Sequence, residues 1–140
     1  DHRDLHLSIR RQRQMCIRDR VSNHAPQAIG PYSQAIATSS RVYISGQIPL
    51  NPESLELAGP DIDVQINQVM KNLDAICRKA GGSLKSVVKF TVFLTRIEDF
   101  NTVNHIMQNF LEEPYPARSL VQVLALPKQA DIEIDAIMEL

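Results

Sequence analysis

Between Ile62 and Ala80 the apolar residues recur at spacings of four, three, four, three and four: Ile62, Ile66, Val69, Leu73, Ile76 or Cys77, and Ala80. That period predicts an amphipathic helix. Asp61 or Asp63 can cap its start, Arg78 and Lys79 suit its last turn, and Gly81 stands where a left-handed C-cap belongs. A second helix is expected after Asp99, carrying Phe100, Val103, Met107 and Phe110, with Pro114 and Pro116 as stops.

The remaining apolar stretches alternate with period two or run continuously. Ser33 to Thr38 and Arg41 to Ser45 flank Ser39-Ser40, as a hairpin would. Val87 to Leu94 puts Val88, Phe90, Val92 and Leu94 on one face and Val87, Lys89, Thr91 and Phe93 on the other, which predicts a central strand covered on both sides. Arg118 to Leu126 and Asp131 to Leu140 are the last two strands expected, with Ile132, Ile134, Ala136 and Met138 sharing a face. The order β-β-α-β-α-β-β implies an α+β layer, two helices on one face of a mixed sheet of about five strands. Two helices leave the other face uncovered, and a closed symmetric oligomer would cover it.

At 140 residues and 44% hydrophobic content, the chain suits one domain with a sizeable core. No apolar run approaches the roughly 20 residues that span a bilayer, so no membrane partner is expected. Two cysteines, Cys16 and Cys77, give neither a disulfide framework nor a paired metal spacing, which points to a reducing, cytoplasmic setting. Cys77 falls on the apolar stripe and reads as core.

The net charge of -1 hides an asymmetry. Residues 1–20 hold six of the fifteen basic and three of the sixteen acidic residues, leaving nine against thirteen, a net of -4, in 21–140. A basic arm for nucleic acid and an arginine-rich leader are two readings of that tail. The favoured one is a translation artefact. Met15-Cys16-Ile17-Arg18-Asp19 is what ATG-TGT-ATA-AGA-GAC encodes, a stretch of a common transposon-end sequencing adapter. The domain is therefore expected over 21–140, preceded by a non-native or disordered tail over 1–20.

Candidate chemistry is sparse. His24 and His105 lie in unrelated contexts, so no metal site is expected. Gly81-Gly82 follows a helix, where it caps and does not cradle a phosphate. The acidic body would repel nucleic acid. What remains is Tyr32, Ser45, Asn104, Arg118 and Glu133. Arg118 opens an apolar strand, where a cation is costly unless it meets an anion. Its planar fork grips a carboxylate with two hydrogen bonds. A small organic acid is one partner for it, and a surface or intersubunit ion pair is the other.

Several ordered blocks carry a resemblance: Ala28-Ile29-Gly30-Pro31-Tyr32-Ser33-Gln34, Ile44-Ser45-Gly46-Gln47-Ile48-Pro49, Asp99 to Asn104, Tyr115-Pro116-Ala117-Arg118-Ser119, and Ile132-Glu133-Ile134-Asp135-Ala136. Through them 21–140 resembles the Rid family of reactive intermediate deaminases, RidA type. The resemblance implies a chorismate-mutase-like fold, a homotrimer with clefts between subunits, and hydrolysis of 2-imino acids such as 2-iminobutanoate and 2-iminopropanoate without a cofactor. It implies that Arg118 holds the substrate carboxylate, that Glu133 orients or activates water, and that Tyr32, Ser45, Gly46 and Asn104 line the cleft. Leu120 stands where many members have cysteine. A non-catalytic ligand-binding or chaperone-like trimer and a ribonuclease are the alternatives.

Overall fold

The computed structural model describes residues 18–140. Among the described residues a six-stranded sheet carries two helices. In chain order the elements are β1 (Arg18–Arg20), β2 (Ala35–Ala37), β3 (Arg41–Gln47), α1 (Ile62–Lys79), β4 (Val87–Leu94), α2 (Phe100–Phe110), β5 (Ala117–Gln122) and β6 (Ile132–Glu139). Across the sheet they run β1-β2-β3-β6-β4-β5. Every pairing is antiparallel except β4 with β5, whose strands are joined through α2. The expected α+β layer is thus present with one strand more. Arg18–Arg20 pair with Ala35–Ala37, so the last three residues of the segment expected to be a disordered tail lie in the sheet. Residues 1–17 of that expectation lie outside the described residues.

α1 buries Ile66, Val69, Leu73, Ile76 and Cys77, the stripe its period predicts. Asp61 occupies the N-cap position, but neither it nor Asp63 supplies the expected side-chain cap. The main-chain oxygen of Asp61 accepts from Gln65 N–H at 3.0 Å instead. At the other end Gly81 has φ +101°, its N–H donates to Arg78 O, and Gly82 N–H donates to Cys77 O. This Schellman arrangement needs a left-handed residue where an L side chain is strained. Asp99 also lacks the expected side-chain cap on α2. A 3₁₀ turn over Ile97–Asp99 runs directly into the helix, leaving Asp99 with helical backbone.

Both helices cover one face of the sheet. Ile132, Ile134, Ala136 and Met138 of β6 join the buried residues of α1, α2, β3 and β4 in one core cluster. The period-two reading of β4 fails at its start. A register irregularity between Val87 and Lys89 buries Val87 and turns Val88 outward. The β4 face away from the helices is half-exposed rather than covered, and Tyr43, Val88 and Val121 are exposed on that open side of the sheet. β5 ends at Gln122, four residues before the expected boundary.

Buried polar groups tie the start of α1 to the sheet. Gln65, 2% exposed, donates to Gly59 O at 3.0 Å and to Asp131 Oδ2 at 3.2 Å, and accepts from Asp131 N–H at 2.9 Å. Thr95 Oγ donates to Asp131 Oδ1 at 3.2 Å. Replacing Gln65 by leucine leaves Gly59 O and both Asp131 groups without it; these partners are half-buried, so water offsets part of the roughly 1–3 kcal/mol that a fully buried unsatisfied group costs. Gln65→Leu is therefore expected to shift the urea midpoint down without changing the slope, and an unchanged midpoint would show the network to be dispensable.

Among the described residues no helix is long and apolar enough to cross a membrane, and no group of three His, Cys, Asp or Glu is placed to hold a metal ion.

Candidate active site

β5 and α2 build the first half of the site. The turn through Tyr115-Pro116 delivers Arg118 in register with Phe90 of β4, on the helix-covered face. Its guanidinium lies 5.5 Å from the Phe100 ring centroid, a cation–π distance, and 3.8 Å from Met107 Sδ. Among the described residues no carboxylate lies within ion-pair distance of Arg118, so no surface ion pair occupies its fork. The guanidinium opens instead on a cavity of about 360 Å³, lined also by Asn104 and by apolar Phe90, Met107, Leu111 and Tyr115. The sequence reading named Arg118 and Asn104. The apolar walls were missed because Phe90 and Met107 also look like ordinary core residues, and both are in fact buried.

β6, β3 and the segment before β2 build the second half. Glu133 lies on the sheet face opposite to Ile132 and Ile134, half-buried and in register with Phe93. Burial pushes its carboxyl above the ordinary glutamate value, and the nearby charge of Asp135 adds to the shift. Gly46 lies in the stretch where the β3–β6 register shifts, between Ile44 and Gln47. A β-carbon on Gly46 would overlap the Glu133 carboxylate, meeting Cδ at 2.9 Å and Cγ at 3.1 Å. Gly46 is thus what lets Glu133 lie flat against β3. Gly46→Ala is expected to displace the carboxylate at little cost to stability, because only the far end of a flexible, half-buried side chain has to move. A crystal structure of the variant with Glu133 unmoved would refute this.

Gly46 also borders a small recess of about 30 Å³ with Tyr32, Pro26 and Ile48. Tyr32 is half-exposed, and its hydroxyl accepts from Ile29 N–H at 3.3 Å. Ser45 turns its hydroxyl away from open space, donating to Ser33 O at 2.6 Å. Its role visible here is to fix the segment that carries Tyr32. Buried Gln34 helps, accepting from Ser22 N–H at 2.7 Å and donating to Pro26 O at 2.7 Å.

The structure therefore groups Arg118 with Asn104, and Tyr32, Ser45 and Gly46 with Glu133. The resemblance implies that Arg118 and Glu133 serve one cleft. In the sheet β4 separates β6 from β5, and the two side chains leave opposite faces. One chain does not bring them together.

The other ionisable candidates stay apart from both halves. His105 is exposed on α2. Cys77 is fully buried, and its thiol is pushed up to about 12, chiefly by burial. It is inert as a nucleophile at neutral pH.

Residues 22–140 match the model of the family described as endoribonuclease L-PSP. The chain belongs to this family, the Rid family of the sequence resemblance. Its Rid relatives carry differing names. The chain is 46% identical over 113 residues to the human 2-iminobutanoate/2-iminopropanoate deaminase, covering 81% of this chain and 82% of that protein. It is 44% identical over 119 residues to a RutC family protein of Sinorhizobium fredii, covering 85% and 94%. Its fold matches the crystal structure of RidA from an Antarctic Psychrobacter with a TM-score of 0.86, 46% identity, and coverage of 88% of this chain and 99% of that one.

Proposed function

We propose that this Rid protein hydrolyses 2-imino acids, of the 2-iminobutanoate and 2-iminopropanoate kind, to 2-oxo acids and ammonium. The observation that carries the reading is Arg118: a guanidinium free of any carboxylate among the described residues, opening with Asn104 on an apolar cavity. The human relative's name supplies the reaction type. Because Arg118 and Glu133 leave opposite sheet faces, the reading requires a second copy of the chain. A cleft between subunits of a trimer would set Arg118 of one copy against Glu133 of another, with the exposed apolar face of the sheet buried in the assembly.

The chemistry needs few groups. Arg118 holds the substrate carboxylate and fixes the position of C2. The iminium carbon is already electrophilic, so water needs a position and a modest base. Water adds to C2 as the Glu133 carboxylate takes its proton, giving a carbinolamine. The protonated Glu133 returns that proton to nitrogen, the C–N bond breaks, and the hydroxyl proton leaves with the departing ammonium. One iminium and one water become one oxo acid and one ammonium. Tyr32, Ser45, Gly46 and Asn104 line the cleft, and the residues themselves supply all the groups that these steps use. A reducing, cytoplasmic setting goes with this reading.

The test generates 2-iminobutanoate in situ with a pyridoxal-phosphate dehydratase and traps residual imine with semicarbazide. Faster oxo-acid release and less trapped product are expected when the protein is added. No acceleration from a well-folded oligomer would favour the second reading, a non-catalytic carboxylate binder. That reading has one observation on its side, the separation of Arg118 from Glu133 in the single chain.

A further inference from the structure

We propose that a second cavity, at the end of α2, is a binding site for an apolar α-amino acid in its zwitterionic form. This cavity measures about 160 Å³ and lies where the turn after α2 passes the start of β4. Buried Leu84 and Val87 close its inner end, and half-buried Phe110 and Leu111 form its sides. Cavities of roughly 150 Å³ take up a benzene ring, so the space suits a side chain of the leucine or phenylalanine kind.

The rim narrows the class further. Lys85 stands on it with Glu112 and Glu113, all three exposed. Lys85 Nζ lies 3.6 Å from Glu112 Oε1, beyond hydrogen-bond length. The other ion pairs among the described residues are tighter, Arg41 with Glu139 at 3.0 Å and Arg78 with Asp74 at 2.8 Å. The loose pair leaves both of its groups open to other partners, and an exposed pair costs little to open. α2 also has no basic residue in its last turn, so the negative end of its dipole is unmatched. An ammonium suits that end beside the two glutamates, and a carboxylate suits Lys85. An α-amino acid carries both groups next to its side chain. A simple amine would leave Lys85 unmatched, and a simple carboxylic acid would set like charges together at the glutamates.

Leu111 and Pro116 border this cavity and the one beside Arg118, so the two must be told apart. Leucine is therefore titrated by calorimetry into the full-length Arg118→Ala protein as well as the unsubstituted one. It is expected to bind both, about tenfold or more tighter than alanine, since each further methylene buried is worth about fourfold. 3-Methylbutan-1-amine and 4-methylpentanoate each keep the side chain and one of the two charges, and both are expected to bind more weakly than leucine. Lys85→Ala should cancel the advantage of leucine over the amine. Glu112→Gln with Glu113→Gln should cancel its advantage over the acid. These positions are exposed, so the urea midpoint should barely move. Leucine binding that disappears in Arg118→Ala would belong to the Arg118 cavity and would overturn the inference. An amine that binds as tightly as leucine, an affinity untouched by Lys85→Ala, or no leucine binding at all would overturn it too. Each of these results leaves the deaminase reading standing.

Discussion

Arg118→Ala is expected to lower kcat/KM for imine hydrolysis by roughly 30-fold or more, the 2 kcal/mol lower end of what losing one partner of a hydrogen-bonded charge pair costs. The lower end is the right scale, because Arg118 is exposed in the single chain and water can partly replace it. The fold should be almost indifferent. Truncation to alanine removes only the Phe100 stacking, about 0.5–1 kcal/mol at an exposed site, and a long approach to Met107 Sδ. Arg118→Lys keeps the charge but not the fork, so it should restore only part of the rate. Steady-state kinetics beside a urea titration separate the two effects. Full activity in Arg118→Ala would remove the anchor from the mechanism.

Glu133→Gln is the second large effect. Losing a general base lowers kcat by about 10²–10⁴-fold, with oxo-acid binding changed much less. The pH profile is the more discriminating measurement. Glu133 acts as a base only when ionised, and burial together with Asp135 raises its carboxyl above the ordinary value. The acidic limb of kcat/KM should therefore lie above the usual glutamate range, with activity rising as pH rises through it, and the glutamine variant should lack that limb. Stability runs the other way. A carboxyl raised in the folded state contributes stability that is present below its unfolded value and is lost as pH rises through the folded one. Glu133→Gln should flatten that part of the stability curve. A variant whose only defect is weaker binding would contradict the role of base.

The two halves of the site differ in how far the sequence exposed them. Arg118 was legible because a cation opening an apolar strand is costly without an anion, and the cost shows in the local pattern. Glu133 stood out only as one of five leftover polar residues and took its role from the resemblance, since a glutamate alternating with isoleucine on a strand looks like any solvated face. That they leave opposite faces was not legible. It depends on β4 lying between β6 and β5, and strand order leaves no mark on local alternation. The same distinction runs through the fold. The α1 stripe and the alternation of β6 stand out because burial follows the geometric period. The shift at Val87–Lys89 does not, because one residue out of register exchanges the faces of two valines without changing composition. β1 was passed over because Arg18-Asp19-Arg20 has no strand-like pattern of its own. Its pairing with β2 is a main-chain matter.

The position of β6 bears on how the protein is made. It lies between β3 and β4 and supplies four of the residues that close the core, yet it is synthesised after all five other strands. Arg41 of β3 and its partner Glu139 are 98 positions apart. At about 5–20 residues per second, β3 would wait roughly 5–20 s on the ribosome for its neighbour. Over that interval the apolar face of α1 and two strand edges would be without the strand that covers them. Chaperone demand during translation should therefore exceed what the stability of the finished domain suggests, and refolding should be limited by this one long-range closure.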